Sequence, residues 1–517
     1  MLVETLNDVR LRRLRTRERG SVLPLGIALL FLGALLSLRQ FSLGELYSAK
    51  QRITTAADAA AYSAALWQAR VLNFHSYANR AILANEVAIA QAVTLVAWAD
   101  YIDQLVQNAE TVGSVVPGAA PLLQTAAQGA AMMREGMHLG AAAEIAARGG
   151  WQHALRTSQD LLASSVTHFA LNSVANEVAR ANDSRFFAWV LPGAEVTIKT
   201  AHVDAPGRQR FADLVTASLD PFTAGPRERD LRLPLPSGCL LSSDPDKRTP
   251  WFRKRGGTAL TSGLERWEAV DTLSLHVPMR RGLLVGPCED LETPLGWGSA
   301  QADALSTLTP KGLATGTKVA SASGGQTGGA GQILNPQPGL RANPRANALA
   351  AADQATLMGY TGLIAIRDLE DRAFSPPGAS AGGSAGDAGG GPFTGPFARL
   401  TVLARSEAAN LRTANRIGFG SGRLAMAEPV AGGRLWALGS AEVYFHRPTA
   451  APERIEYASL WNPYWQVRMV PTPPGQQLAA LALAQGVGSG AGAGAGAGVG
   501  GAGSAVGTGT GAGADRP

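Results

Sequence analysis

The segment SVLPLGIALLFLGALLSL, residues 21–38, contains no charged residue, and its 18 residues are the short end of what crosses a bilayer as a helix. The residues before it include six arginines: Arg10, Arg12, Arg13, Arg15, Arg17 and Arg19. Arginine and lysine concentrate on the cytoplasmic side of membrane helices. The bias therefore predicts a cytoplasmic basic tail over 1–20, a transmembrane helix over 21–38, and the bulk of the chain outside.

A cleaved signal peptide is the alternative reading of the same segment. Its apolar region would be shorter and an A-x-A-like cleavage site would follow. Residues 36–47, LSLRQFSLGELY, contain no such site. The sequence therefore favours an uncleaved signal-anchor.

Residues 50–66, KQRITTAADAAAYSAAL, are rich in alanine, the best helix former. We expect the membrane helix to continue through them, with a bend near Gly44. A further helix is predicted over 73–112 from apolar residues at three- and four-residue steps. Its apolar centre has only 13 uncharged residues between Glu86 and Asp100, too few to span a membrane. Asp100 and Asp103 are interpreted as solvated residues that end this apolar stretch.

Two more helices are predicted over 122–148 and 151–181, separated by Gly149 and Gly150. A strand is predicted at 195–203, where polar and apolar residues alternate and several are β-branched. Further strands are predicted between prolines and glycines at 270–278, 362–367, 399–404, 435–445 and 465–470. Glycine-rich inserts near 320–332 and 375–395 and the Gly/Ala-rich tail lack the side chains to bury a core.

The predicted fold class is therefore α+β. A single transmembrane helix continues into an α-helical periplasmic region over 39–186. A β-rich region over 187–470 follows, with long Gly-rich loops that we expect to be disordered near 320–332 and 375–395. Residues 471–517 are predicted to form a disordered tail.

The order of these features resembles the N-terminus of TadE/TadG-like proteins of the Tad (Flp) pilus-assembly system. The residues that carry the resemblance are Gly20 at the end of the basic tail, the apolar helix, and Ala56, Ala57, Asp58, Ala59 and Ala60 in the alanine-rich segment. Residues 440–448 and 460–471 also look like segments of larger members of this group. The resemblance covers mainly the first 70 residues or so.

Two departures from that group limit what the resemblance implies. Prepilin-like relatives carry glutamate at the fifth position after the cleaved glycine, where this chain has Leu25, so we expect no cleavage after Gly20. Some TadG-like proteins carry a von Willebrand A metal site, D-x-S-x-S. Here the nearest match begins at Asp271 and has leucine at both serine positions.

The resemblance implies a single-pass protein of the bacterial inner membrane, with a cytoplasmic N-terminus and a periplasmic bulk. Its expected function is that of a structural or scaffold protein in pilus assembly or a related surface-structure or secretion system. The expected partners are the membrane and other pilus-assembly or pilin-like proteins, contacted through the N-terminal helix. A surface adhesin, or an envelope enzyme with no recognisable motif, is the alternative.

Charge and motifs favour neither a nucleic-acid partner nor an enzyme. The net charge is +6, of which residues 1–20 supply +3, so the remaining chain has no strong basic footprint. The G-x-S-x-G matches at 378–382 and 382–386 lie in a Gly/Ser-rich insert, without the strand and helix that a nucleophile elbow needs. We therefore expect no catalytic, cofactor-binding or metal-binding residues.

The chain has two cysteines, Cys239 and Cys288, both on the predicted periplasmic side. An even count in an oxidising compartment predicts one disulfide, the alternative being two free thiols. A metal site would need more ligands than this pair offers.

Overall fold

A computed structural model of the chain describes residues 22–113, 118–193, 196, 198–201, 205–240, 242–260, 264–280, 286–304, 342–369, 396–414, 416, 418, 433–447 and 458–484. The predicted basic tail with Gly20, the inserts near 320–332 and 375–395, and the chain after residue 484 lie outside these residues. The fold within them is a mixture of helix and sheet.

The first element is helix α1, Val22–Gly113, a single helix of 92 residues. At 1.5 Å per residue it is about 138 Å long. The predicted separate helix over 73–112 is wrong, and Gly44, where a bend was predicted, lies within the same continuous helix. Residues 45–112 contain neither proline nor glycine, so nothing in the backbone interrupts the helix.

Helices α2, Ala120–Ala163, and α3, His168–Asn182, run back along α1. The predicted break at Gly149–Gly150 is wrong, because α2 continues through both glycines. A Cβ on Gly149 would lie 2.9 Å from the carbonyl oxygen of Gly359, so this glycine allows a close packing contact. The interruption falls instead at the 3-10 turn Ser164–Val166, where the Ser164 hydroxyl donates to the Leu161 carbonyl at 2.6 Å.

The strands, numbered in chain order, are β1 Phe187–Val190, β2 Ile198–Ala201, β3 Arg229–Arg232, β4 Trp251–Leu260, β5 Arg266–Arg280, β6 Cys288–Asp303, β7 Ala355–Leu357, β8 Ile366–Leu369, β9 Pro396–Glu407, β10 Arg434–Phe445 and β11 Trp465–Met469. The remaining helices are α4 Ala205–Ala217, α5 Pro221–Ala224, α6 Pro344–Ala352 and α7 Pro474–Ala484.

Two large sheets pack along α1, one after the other, and β2 and β8 form a separate two-stranded antiparallel sheet. The first sheet has the order β1-β9-β10-β11 and is antiparallel throughout. It shares a core with the part of α1 from Ala49 to Leu72 and with α3. The second sheet, β3-β4-β5-β6-β7, shares a core with the part from Ile82 to Ala97 and with α2 and α4. Its β6–β7 pair is parallel and its other pairs are antiparallel. One helix is thus the common spine of both cores.

The predicted strands at 270–278, 399–404, 435–445 and 465–470 correspond to β5, β9, β10 and β11. Those predicted at 195–203 and 362–367 overlap β2 and β8, whereas β1, β3, β4, β6 and β7 were not predicted. The predicted disordered tail is corrected at its start, because Pro474–Ala484 forms helix α7. Its Ala480 packs on Leu191 and Leu403 of the first sheet.

Candidate functional site

The N-terminal end of α1 is an apolar helix that is not covered by any other described part of the chain. Over its most apolar 18-residue window the mean hydropathy is 2.1, and none of that window is buried. Leu23 and Leu30 are 74% and 77% exposed. A helix in the core of a water-soluble protein buries its apolar face, so this exposure excludes a core role. Residues 22–41 are about 30 Å long, enough to cross a bilayer by length and composition.

The protein body begins at Ser42, which is only 5% exposed. Its hydroxyl accepts a hydrogen bond from the Ala414 amide at 2.9 Å and donates to the Leu38 carbonyl at 3.0 Å. Two turns further on, the Lys50 ammonium donates to the Trp436 carbonyl of β10. The exposed end and the covered part therefore belong to one helix with a sharp boundary between them.

The alanine-rich segment that carries the family resemblance lies inside the body. Ala56, Ala57 and Ala60 are fully buried against the first sheet, while Asp58 and Ala59 are half-buried. Strand β10 crosses the helix at Gly439, where a Cβ would collide with the backbone of Ala57 and Asp58. Alanine on the helix and glycine on the strand thus permit backbone-to-backbone contact. These residues build the internal docking of helix and sheet, and burial raises the pKa of the Asp58 carboxyl.

Two asparagines of α1 form hydrogen bonds with backbone N–H and C=O groups of neighbouring segments. The Asn73 amide donates to the Trp465 carbonyl at 2.9 Å and accepts from the Trp465 amide at 3.0 Å. The Asn79 amide donates to the carbonyls of Leu460 and Arg367, each at 2.8 Å. These hydrogen bonds hold α1 against β8 and β11. Buried backbone groups that lost these partners would lower the stability of the fold.

The second sheet docks in the same manner. A Cβ on Gly298 of β6 would collide with backbone atoms of Ala97 and Tyr101, and one on Gly296 would crowd Tyr101 and Leu105. Both sheets therefore cross α1 at glycines.

A carboxyl group lies in the core beneath the second sheet. Glu86 is 1% exposed and accepts hydrogen bonds from Trp267 Nε1 at 2.7 Å, the Tyr360 hydroxyl at 2.6 Å and Gln152 Nε2 at 3.0 Å. Burial raises its pKa, and the three hydrogen bonds oppose that shift. In the sequence Glu86 marks only the edge of an apolar stretch, because its donors lie 66, 181 and 274 residues away.

Asp271, the nearest match to a von Willebrand metal site, is fully buried and neutralised by cations. Arg227 Nε donates to both of its oxygens at 3.0 Å, and Lys254 Nζ lies 2.5 Å from Oδ1. This is a structural ion cluster, with Lys254 also 3.6 Å from the Tyr101 ring centroid. Within the described ranges there is no group of three or more His, Cys, Asp or Glu residues placed to hold a metal ion.

The interpretation of Asp100 and Asp103 as solvated residues is wrong. They are 9% and 0% exposed. Arg134 of α2 donates to Asp100 at 3.1 Å and to Asp103 at 3.2 Å, and His138 Nε2 lies 2.6 Å from Asp100. The pair therefore joins α1 to α2 at the end of α1 far from the apolar segment.

The predicted disulfide between Cys239 and Cys288 is confirmed, with the two Cα atoms 6.0 Å apart. It ties the turn after β3 to the first residue of β6. Gly238 beside it packs against the backbone of Met279 in β5. The bond thus fixes a loop to the end of the β5–β6 hairpin.

Comparisons of the chain with protein-family models, with curated proteins and with solved structures found no match.

Proposed function

We propose that this chain is a membrane-anchored structural protein of Tad (Flp) type pilus assembly, or of a related surface structure or secretion system. The observation that carries the proposal is the continuity of α1. Its exposed apolar end, residues 22–41, runs without interruption into the spine on which both sheets are docked. Such a helix holds the body at a fixed place above a membrane, which suits a scaffold.

The proposed topology has residues 21–38 in the inner membrane, the N-terminus in the cytoplasm and the sheets in the periplasm. The arginine bias before the apolar segment supports this orientation. The Cys239–Cys288 bond supports it independently, because disulfides persist in oxidising compartments.

A pair of reporter fusions tests the topology. A reporter that is active only in the periplasm should be active when fused after Ala69 and inactive when fused at Gly20. The reverse pattern would contradict the orientation. N-terminal sequencing of the mature chain tests the expected absence of cleavage after Gly20, since a mature chain that begins at Ser21 would contradict it.

Complementation tests the role in assembly. Deleting the gene should abolish piliation, and the full chain should restore it. A chain whose residues 22–41 are replaced by an unrelated apolar span of equal length should remain in the membrane and fail to restore pili if the helix packs against partner helices. Full piliation of the deletion strain would contradict the proposed function.

A further inference from the structure

The outward face of helix α2 carries no charge. This face, called the outer stripe, is defined by eight residues on the side of the helix opposite buried Ala141 and Ile145: Gly129, Met132, Gly136, Leu139, Gly140, Ala147, Gly150 and Leu161. Met132, Leu139 and Leu161 are 70%, 76% and 69% exposed. Between residues 125 and 161, every charged residue of α2 lies on its flanks or towards α1.

Three arginines of α2 bind groups on neighbouring segments, while Glu144 is exposed on the flank of the helix. Arg134 binds Asp100, Arg148 binds Asn85 at 3.0 Å, and Arg156 binds Thr200 at 3.1 Å. A surface helix normally carries charges on the face opposite its buried apolar residues, which here include Ala141 and Ile145. The lack of charge on the outer stripe indicates that it is covered in the functional state.

The glycines of α2 also indicate that the outer stripe is covered. Gly149 is explained by its contact with Gly359 inside the chain. By contrast, Gly129, Gly136, Gly140 and Gly150 have no atom of the described residues within 4 Å of an added Cβ, and none of them has positive φ. Glycine inside a helix costs about 1 kcal/mol relative to alanine. Four such residues on one exposed face match the requirement for close approach of another helix.

The outer stripe lies too far from the apolar segment to enter the same membrane. Trp67 Nε1 donates to the Ser165 carbonyl at 3.1 Å, so the end of α2 is level with residue 67 of α1. Residue 67 is about 39 Å along the helix from residue 41, more than the roughly 30 Å thickness of a hydrocarbon core. A protein surface is therefore the occupant that the geometry favours.

We propose that the outer stripe is the contact surface of a parallel dimer of this chain. A helix of 44 residues is about 66 Å long. A contact strip about 10 Å wide buries about 1,300 Å² over both copies, within the size of stable interfaces. A face of small and apolar residues without charge is self-complementary, as a twofold interface requires. The parallel orientation rests on the proposed anchor, because both copies start in one membrane.

The first experiment measures the mass of the full chain in detergent by sedimentation equilibrium. The wild type should be a dimer, and the double variant Gly140→Glu with Ala147→Glu should dissociate with a Kd at least tenfold higher. The open space at Gly140 allows the new side chain to fit in the monomer. The control is Gln124→Glu with His153→Glu, which adds the same charge at exposed positions off the stripe and should remain dimeric. The proposal would be overturned if the wild type were a monomer. It would also be overturned if the stripe variant had the same dimer Kd as the wild type.

The second experiment leaves the glycines intact and reports orientation. Because Cys239 and Cys288 are bonded to each other, an introduced cysteine is the free thiol available for cross-linking. Leu122→Cys and Leu161→Cys, at opposite ends of α2, should each cross-link to the same position of a second copy. Cross-links only between position 122 and position 161 would overturn the parallel dimer, and they would do so whether or not the pilus function holds. Gln124→Cys, on the flank, should cross-link at least fivefold less.

Discussion

Gly439 is the residue at which strand β10 touches the backbone of helix α1. A Cβ there would meet Ala57 and Asp58, neither of which can move without shifting the helix. We predict that Gly439→Ala lowers the free energy of unfolding by about 1–3 kcal/mol, the cost of overpacking a core. Denaturant titration of the purified chain measures this. Gly475→Ala is the control, because its Cβ would have nothing within 4 Å. Equal stability of both variants would refute the docking argument.

Two buried groups give opposite pH dependences of stability. Burial lowers the pKa of His75 from 6.5 to about 4, so between these values the unfolded chain binds a proton that the folded chain does not. Burial raises the pKa of Glu268 from 4.5 to about 7, against the attraction of Arg266, so the folded chain keeps a proton that the unfolded chain loses. The His75 contribution to stability therefore rises with pH, and the Glu268 contribution falls.

Single substitutions separate these two contributions. His75→Leu should remove the rising contribution between pH 4 and 6.5. Glu268→Gln should remove the falling contribution between pH 4.5 and 7. Each slope should change by at most about 1.4 kcal/mol per pH unit. Unfolding free energies measured from pH 4 to 7.5 test this, with His153→Leu at an exposed position as control. Slopes that all match the wild type would refute the assignment.

At the residue scale the sequence could predict the disulfide, because two cysteines allow a single pairing. It could not predict the surroundings of Glu86 or Asp103. A carboxylate beside an apolar run has the same local pattern whether water or a distant donor satisfies it. The donors here are Trp267, Tyr360 and Arg134, which only the tertiary fold brings near.

Among the elements, the exposed end of α1 gives the most direct test. We predict that Leu30→Asp with Gly33→Asp prevents stable membrane integration, because each aspartate costs about 2.5–3.5 kcal/mol at the centre of a spanning helix. Alkaline extraction of membranes followed by immunoblotting should recover the variant in the soluble fraction. Tyr77→Asp, on an exposed position of the same helix within the body, is the control. Retention of the double variant in membranes would argue against the anchor.

The loop held by the disulfide is a second element with a clear test. Residues 234–250 contain no strand, and Cys239 is fully buried beside the β5–β6 hairpin. We predict that Cys239→Ser exposes this loop to protease while α1 and α2 stay intact, since the bond joins the loop to β6 and to neither helix. Limited proteolysis with mass spectrometry of the fragments is the measurement. Equal cleavage of variant and wild type would show that the bond does not hold the loop.

The strands show why element prediction succeeded only in part. Strand β5 largely alternates apolar and polar residues, and β9 and β10 are rich in apolar residues, because these strands pack on α1. Strand β4 contains Arg253, Lys254 and Arg255, and β6 contains two glycines and several acidic residues, so both lack that alternation. The glycines of β6 lie against the backbone of α1, and Lys254 of β4 contacts Asp271 in the ion cluster. These tertiary contacts decide which residues the two strands contain, although those residues have low strand propensity.

For the whole molecule, the length of α1 sets a lower limit on the long dimension of the protein body. The part of α1 inside the body, 42–113, is about 108 Å long. We predict that cryo-electron microscopy of the chain in lipid nanodiscs shows a body extending about 110 Å from the disc, with two layers of density along one rod. A body shorter than about 80 Å would mean that the helix is broken in the intact protein.

Because α1 is one continuous helix, a tilt of its apolar end would be transmitted to its far end. Nothing between residues 41 and 53 offers a hinge, since Gly44 is helical and no proline follows until after Gly113. Membrane helices tilt by amounts that depend on bilayer thickness, about 20° on average. If the helix is straight, a 20° tilt at the membrane moves the far end of α1 sideways by about 37 Å. The local thickness of the lipid would therefore set the lateral position of the distal sheet relative to the proposed anchor.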